Sequence, residues 1–189
     1  MIRDADHSGK YLVEYCSPTL ACLKMANLFS YRCSGADNID DVIRAWEGAL
    51  AGKGVRVLVL HRNERFALVY VFRVSRLTEA LSDVTIRQFL RSCGYRDFSA
   101  EAVIRRLTGR FGAGGEFPHE IGVFLGYPLG DVIGFIKNEG RNYKYIGNWK
   151  VYCNEAEALR EFERYRKCKE VYTRLWKQGR SVTQLTVAG

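Results

Sequence analysis

The sequence lacks the marks of several common protein classes. None of its six cysteines forms a Cys-x-x-Cys pair, so the ligand spacing of zinc ribbons and thioredoxin-like redox sites is missing. No apolar run approaches the roughly 20 residues that a membrane helix needs. The first residues also lack the apolar stretch of a secretory signal. We therefore expect a cytoplasmic protein with reduced thiols and no membrane partner.

The sequence does contain enough apolar material for a core. Of the 189 residues, 47% are hydrophobic and 13% are aromatic, which suffices to bury a core without disulfides or a structural metal. No repeat, low-complexity tract or clear linker interrupts the chain. We expect one domain over residues 1–189, with residues 1–9 flexible and residues 180–189 forming a C-terminal tail.

The chain carries a net charge of +8. A basic surface can bind nucleic acid because it releases counterions from the phosphates. Here, however, arginine and lysine are spread along the chain and interleaved with acidic residues, which is typical of an ordinary solvated surface. We therefore expect a small molecule or a protein as the partner rather than nucleic acid.

Local patterns along the chain predict an α+β fold. Two β-branched runs around a short polar turn predict a β-hairpin over residues 55–74. The short, continuous apolar run at 120–127 predicts a buried central strand, and residues 145–153 predict another strand. About six helices are expected to pack on this small, largely antiparallel sheet. The last helix is long, from about Glu155 to Lys177.

Cys16 is the strongest candidate for a nucleophile. Ser17 and then Pro18 resemble a helix start, with a capping hydroxyl followed by proline at the first helical position, and the apolar spacing of 20–29 predicts the helix itself. A thiol beside such a start would have a lowered pKa, because the macrodipole and the free N–H groups favour the thiolate.

His119 is the matching candidate for a general base. It follows a proline at the start of the predicted strand, and a cysteine on a helix followed by a histidine on a strand is the chain order of papain-like enzymes. Asn148 or Asp131 would orient the imidazole. The first hypothesis is therefore a thiol-dependent hydrolase or acyl transferase with Cys16, His119 and Asn148. The competing interpretation makes Cys16 a small buried residue without reactivity.

Two other functions remain open at this point. In the second hypothesis the chain is a non-catalytic binding or regulatory module, with Lys24, Glu120 and Tyr127 around a ligand pocket. In the third, Cys153 and Cys168 approach Cys16 and form a thiol-rich metal or redox site for iron or zinc. No cofactor is predicted from spacing, because short-spaced ligand pairs are missing.

Four segments resemble a bacterial family called domain of unknown function 3793, and the match covers nearly the whole chain. They are Cys16-Ser-Pro-Thr-Leu-Ala-Cys-Leu-Lys24 with Ala26-Asn-Leu-Phe29, Phe117-Pro-His-Glu-Ile-Gly-Val-Phe-Leu-Gly-Tyr-Pro-Leu129, Trp149-Lys-Val-Tyr-Cys153 and Gly179-Arg-Ser-Val-Thr-Gln-Leu185. The resemblance implies no established activity. It implies glycine at position 22 and histidine at position 15, where this chain has Cys22 and Tyr15.

Overall fold

The computed structural model describes residues 3–32, 38–112 and 117–189. Cys33 and residues 113–115 of the glycine-rich stretch at 112–115 lie outside the described residues. The strands are β1 (Ala26–Arg32), β2 (Val55–Arg62), β3 (Phe66–Arg73), β4 (Tyr145–Ile146) and β5 (Lys150–Val151). The helices are α1 (Arg3–Leu20), α2 (Ile39–Leu50), α3 (Val74–Ala80), α4 (Val84–Ser92), α5 (Ala100–Gly112), α6 (Ile121–Phe124), α7 (Leu129–Lys137), α8 (Glu155–Lys177) and α9 (Val182–Leu185).

The predicted α+β class is confirmed. Strands β1, β3 and β2 form an antiparallel sheet in that order, and β4 pairs with β5 as a separate small hairpin. The predicted hairpin over 55–74 is the β2–β3 pair. The long helix begins and ends as its charge and apolar pattern predict, with the Asn154 side chain capping the first turn.

The predicted central strand at 120–127 is wrong. Residues Ile121–Phe124 form a single helical turn, α6, in which all four residues are buried. A short apolar run does not by itself distinguish a buried strand from a buried turn of helix. The strand that is central in this sheet is β3, which pairs on both sides and buries both of its faces.

The predicted helix over 20–29 is also wrong. Helix α1 runs to Leu20 and contains Pro18 in its last turn, and the chain then turns into β1. Ser17 does not cap a helix start, because its hydroxyl donates a hydrogen bond to the carbonyl of Val13, four residues earlier. Cys16 therefore lies near the end of a helix and not before its beginning.

The sheet separates two apolar cores. The α1 core packs one face of the sheet against α1, α2 and α9, and it contains Leu12, Cys16, Leu20, Trp46, Val69, Val71 and Leu185. The α5 core packs the other face against α3 to α7, and it contains Tyr70, Phe72, Leu90, Val103, Leu107, Phe124 and Val132. Successive side chains of β3 point to opposite faces of the sheet, so they pack alternately in the two cores.

Each terminal region contributes a helix to this arrangement. Helix α1 begins at Arg3, within the stretch expected to be flexible. In the expected tail, α9 has a Ser181 capping box and buries Val182 and Leu185 in the α1 core. No helix in the described ranges is long and apolar enough to cross a membrane.

The turn between α1 and β1 places Cys22 in the left-handed region, with φ of 59°. That conformation costs a residue with a Cβ atom about 1 kcal/mol and is the usual place for glycine. The glycine that the family resemblance implies at position 22 thus has a backbone reason.

We expect Cys22→Gly to increase the free energy of unfolding by about 0.5 kcal/mol, because relief of the strained φ exceeds the extra entropy of the unfolded chain. Urea unfolding under reducing conditions measures the change. Cys22→Ala is the matched control, since it removes the thiol but keeps the Cβ atom. Equal stabilities of the glycine and alanine variants would contradict the backbone explanation.

Candidate functional site

An apolar cavity of about 320 Å³ lies between α6, α7 and the β4–β5 hairpin. The side chains that define this aromatic cavity are Phe117, His119, Tyr127, Phe135, Ile146 and Trp149. Phe117 is 51% exposed and Ile146 is 55% exposed, so these two side chains form its mouth. The volume and the apolar lining are those of small-molecule sites in proteins.

Asp131 fixes the hairpin wall of the aromatic cavity. Its buried carboxylate accepts hydrogen bonds from Trp149 Nε1 and from the backbone N–H groups of Tyr152 and Cys153, each at 2.8 Å. Three donors satisfy most of the acceptor capacity of a carboxylate. Asp131 was one candidate for orienting His119, but its oxygens hold the hairpin against α7.

Two glycines let the hairpin approach α7 closely. A Cβ atom on Gly134 would lie 2.5 Å from Cγ of Tyr152, and one on Gly130 would lie 2.6 Å from the sulfur of Cys153. Both distances are far inside van der Waals contact. Glycine at positions 130 and 134 is therefore explained by the close packing of the hairpin on α7.

His119 lies on the rim of the aromatic cavity and is exposed. It occupies the turn before α6, not the start of a strand, and its carbonyl accepts a hydrogen bond from Gly122 N. Its ring centroid is 5.8 Å from that of Phe117 and 5.1 Å from that of Phe135. Its ring nitrogens form no hydrogen bond with the described residues, which leaves them available to a ligand.

A second cavity, of about 420 Å³, lies between α1, the start of β1 and α8. The side chains that define this Lys24 cavity are Lys24, Asn27, Tyr127, Asn148, Tyr165 and Lys169. It is much more polar than the aromatic cavity. Leu28 and Tyr127 line both cavities and so form the wall between them.

Tyr127 is held in this wall by three contacts. Its ring stacks on Trp149 with centroids 5.0 Å apart, and its hydroxyl donates to the carbonyl of Asn148 at 3.2 Å. The ammonium nitrogen of Lys24 lies 5.2 Å from the centroid of the same ring, a cation–π distance. Burial raises the pKa of Tyr127 to about 12, so the hydroxyl stays protonated at neutral pH.

Lys24 is a buried cation with no carboxylate partner in the part of the chain that the structure describes. Its side chain is 6% exposed, and among the described residues it forms neither an ion pair nor a side-chain hydrogen bond. Burial lowers the pKa of Lys24 to about 8, and the nearby Cys16 thiol opposes this shift in part. Lys24 is thus held in a setting that is unfavourable for its own charge.

Cys16 lies in the α1 core and has no exposed surface. Burial raises the pKa of its thiol well above the ordinary value, and the charge of Lys24 opposes the shift only in part. The end of α1 also presents carbonyl oxygens, which disfavour a thiolate. The expected lowering of the Cys16 pKa was wrong, because it assumed a helix start at this position.

Glu120 is buried beneath α6 and belongs to a structural ion pair. Its Oε1 lies 2.6 Å from Nε of Arg110 and accepts a hydrogen bond from the Tyr95 hydroxyl at 3.3 Å. The Arg110 contact is an ion pair that does not meet the angle of a hydrogen bond. These partners tie the start of α6 to α5, and Glu120 lines neither cavity.

The three cysteines of the thiol-rich hypothesis differ in burial. Cys16 and Cys168 are buried, Cys153 is exposed, and each has a free thiol. No group of three His, Cys, Asp or Glu side chains with the arrangement of a metal site occurs within the described ranges.

The structure brings together some of the candidate residues and separates others. Lys24, Tyr127 and Asn148 share the Lys24 cavity. His119 lines the aromatic cavity on the α5 side of the sheet, whereas Cys16 belongs to the core on the opposite side. The papain-like group is therefore not assembled.

Several residues of both cavities were missed by sequence reasoning. Phe135 and Lys169 look like ordinary core and surface positions of their helices. Trp149 stands in a segment that carries the family resemblance, and a large aromatic beside Asn148 was the one available signal. Nothing local to the sequence indicates that helix α8 closes a cavity around Lys24.

Comparison with known proteins adds a family but no function. No curated protein and no solved structure gave a match to the chain. A family model described as a protein of unknown function, DUF3793, matches residues 12–186. This range includes both cavities and all the candidate residues discussed above, and the chain belongs to the DUF3793 family.

Proposed function

We propose that this protein is a non-catalytic small-molecule-binding protein and that its ligand occupies the aromatic cavity. The observation that carries the proposal is a preformed apolar cavity of about 320 Å³ with an open mouth. Aromatic walls favour a flat, apolar ligand, because ring contacts add to the free energy of burying apolar surface.

The polar groups around this cavity support a binding role with one point of specificity. The Asp131 carboxylate is used by three internal donors, and the Lys150 ammonium donates to the carbonyl of Gly140 at 2.7 Å. Among the polar side chains that line the cavity, His119 is the one that forms no hydrogen bond with the described residues. A ligand would therefore bind mainly by apolar contact, with one hydrogen bond to His119 at the rim.

Thiol-dependent catalysis has less support from the geometry. A nucleophile and its base need to lie within hydrogen-bond reach, directly or through one water. Cys16 and His119 belong to opposite sides of the sheet, and Cys16 has no exposed surface. A substrate would have to enter the α1 core before it could reach the sulfur.

The binding proposal is tested with indole as a flat apolar probe and saturation-transfer NMR on the full chain. We expect the native protein to bind indole with a dissociation constant on the order of 1 mM. Ile146→Trp should weaken binding about tenfold, because the larger ring at an exposed mouth position blocks entry.

Val84→Trp is the matched control, since Val84 is 74% exposed and lies on α4 outside the cavity. This variant should bind indole as the native protein does. Equal affinity of the two tryptophan variants, or no saturation transfer from the native protein to indole, would show that the aromatic cavity is not the binding site.

The alkylation rate of Cys16 tests the thiol hypothesis. We expect iodoacetamide to alkylate Cys16 at least about 100-fold more slowly than the exposed Cys153 in the folded protein, because access and thiolate fraction are both low at Cys16. Peptide mass spectrometry after timed quenching gives both rates. The two cysteines should react at similar rates in guanidinium chloride. Alkylation of folded Cys16 as fast as a model thiol would revive the nucleophile hypothesis.

A further inference from the structure

Lys24 is held in place by its backbone, because no counter-ion contacts it among the described residues. Its backbone N–H donates to the carbonyl of Pro18 at 3.1 Å, in the turn that follows α1. From this turn the side chain enters the cavity and ends over the ring of Tyr127. The position of the ammonium group is therefore set by the fold before any ligand arrives.

The buried ammonium is energetically unfavourable for the protein alone. A charge removed from water needs a partner charge or several hydrogen bonds to offset its lost hydration. In the described ranges the one partner of the Lys24 ammonium is the face of Tyr127, and a cation–π contact contributes roughly 0.5–2 kcal/mol. An apolar side chain of similar length would fill the same space without that cost.

The surroundings of Lys24 favour a negatively charged ligand. The titratable and charged side chains that face it are Glu14, Tyr15 and Cys16 of α1, Tyr127, and Tyr165, Arg166 and Lys169 of α8. Arg166 is paired with Glu163 and Glu170 on its own helix, so Lys24 and Lys169 stand against the single carboxylate of Glu14. Asn27 adds an amide whose oxygen accepts from Thr19 at 2.6 Å, so its N–H groups are left to face the cavity.

We propose that the Lys24 cavity is an anion site, which binds the carboxylate or phosphate group of a small molecule through the Lys24 ammonium. Asn27 and Lys169 would contribute further donors from β1 and α8. This site is separate from the aromatic cavity, since Leu28 and Tyr127 stand between them. Its existence does not depend on whether the aromatic cavity binds a ligand.

Calorimetric titration of the full chain with succinate, at constant ionic strength, tests the proposal. We expect a dissociation constant on the order of 1 mM for the native protein. Lys24→Met should increase it at least about tenfold, because a charge-assisted hydrogen bond is lost. Inorganic phosphate is titrated in the same way and identifies which of the two anion groups the site prefers.

The pH dependence distinguishes Lys24 from general surface charge. Binding needs the ammonium form, so succinate affinity should fall as the pH rises through about 8, where Lys24 loses its proton in the free protein. Succinate keeps its charge over this range. The Lys24→Met variant should show no such step.

Two further variants and one stability measurement complete the test. Lys169→Met, at an exposed lining position, should weaken binding about twofold to threefold, and the distant Lys137→Met should leave it unchanged. Lys24→Met should unfold at the same temperature as the native protein or higher. The proposal is overturned if neither anion binds the native protein, if Lys24→Met binds as well, or if Lys24→Met unfolds several degrees lower.

Discussion

The arrangement of this protein depends on the hydrogen bonds that the guanidinium group of Arg73 donates. Arg73 ends the central strand β3 and has no exposed surface. It donates hydrogen bonds to the carbonyls of Thr19 and Leu20 at 2.6 Å, and to that of Val187 at 2.8 Å. A planar group with several donors can satisfy the free carbonyls of a helix end and hold a second segment at once.

The contacts of Arg73 also fix the position of Lys24. The backbone N–H of Arg73 also donates to the carbonyl of Met25, so one residue of β3 holds the chain on both sides of the α1–β1 turn. Lys24 lies inside the segment that is held in this way. The buried charge of Lys24 is tolerated because the turn that carries it cannot swing out to solvent without breaking the contacts of Arg73.

Sequence reasoning succeeded where the signal is local. Two β-branched runs around a short polar turn predicted the β2–β3 hairpin, and the apolar and charge pattern predicted α8 with its bounds. It failed at Cys16, because Ser17 and Pro18 have the pattern of a helix start, whereas Pro18 stands in the last turn of α1, a less common place for proline. The burial of Lys24 depends on Tyr127 and on α8, which are more than 100 residues away, and no pattern within a short window reports such contacts.

The two cavities differ because their polar groups are used differently. Around the aromatic cavity, the Asp131 carboxylate and the Lys150 ammonium form hydrogen bonds within the protein. The wall therefore behaves as an apolar surface. In the Lys24 cavity the strongest donor is left without a described partner. Tyr127 separates these environments: one wall of each cavity is the same neutral ring, which packs on Trp149 and attracts the Lys24 cation. One side chain thus bounds both an apolar and a cationic space.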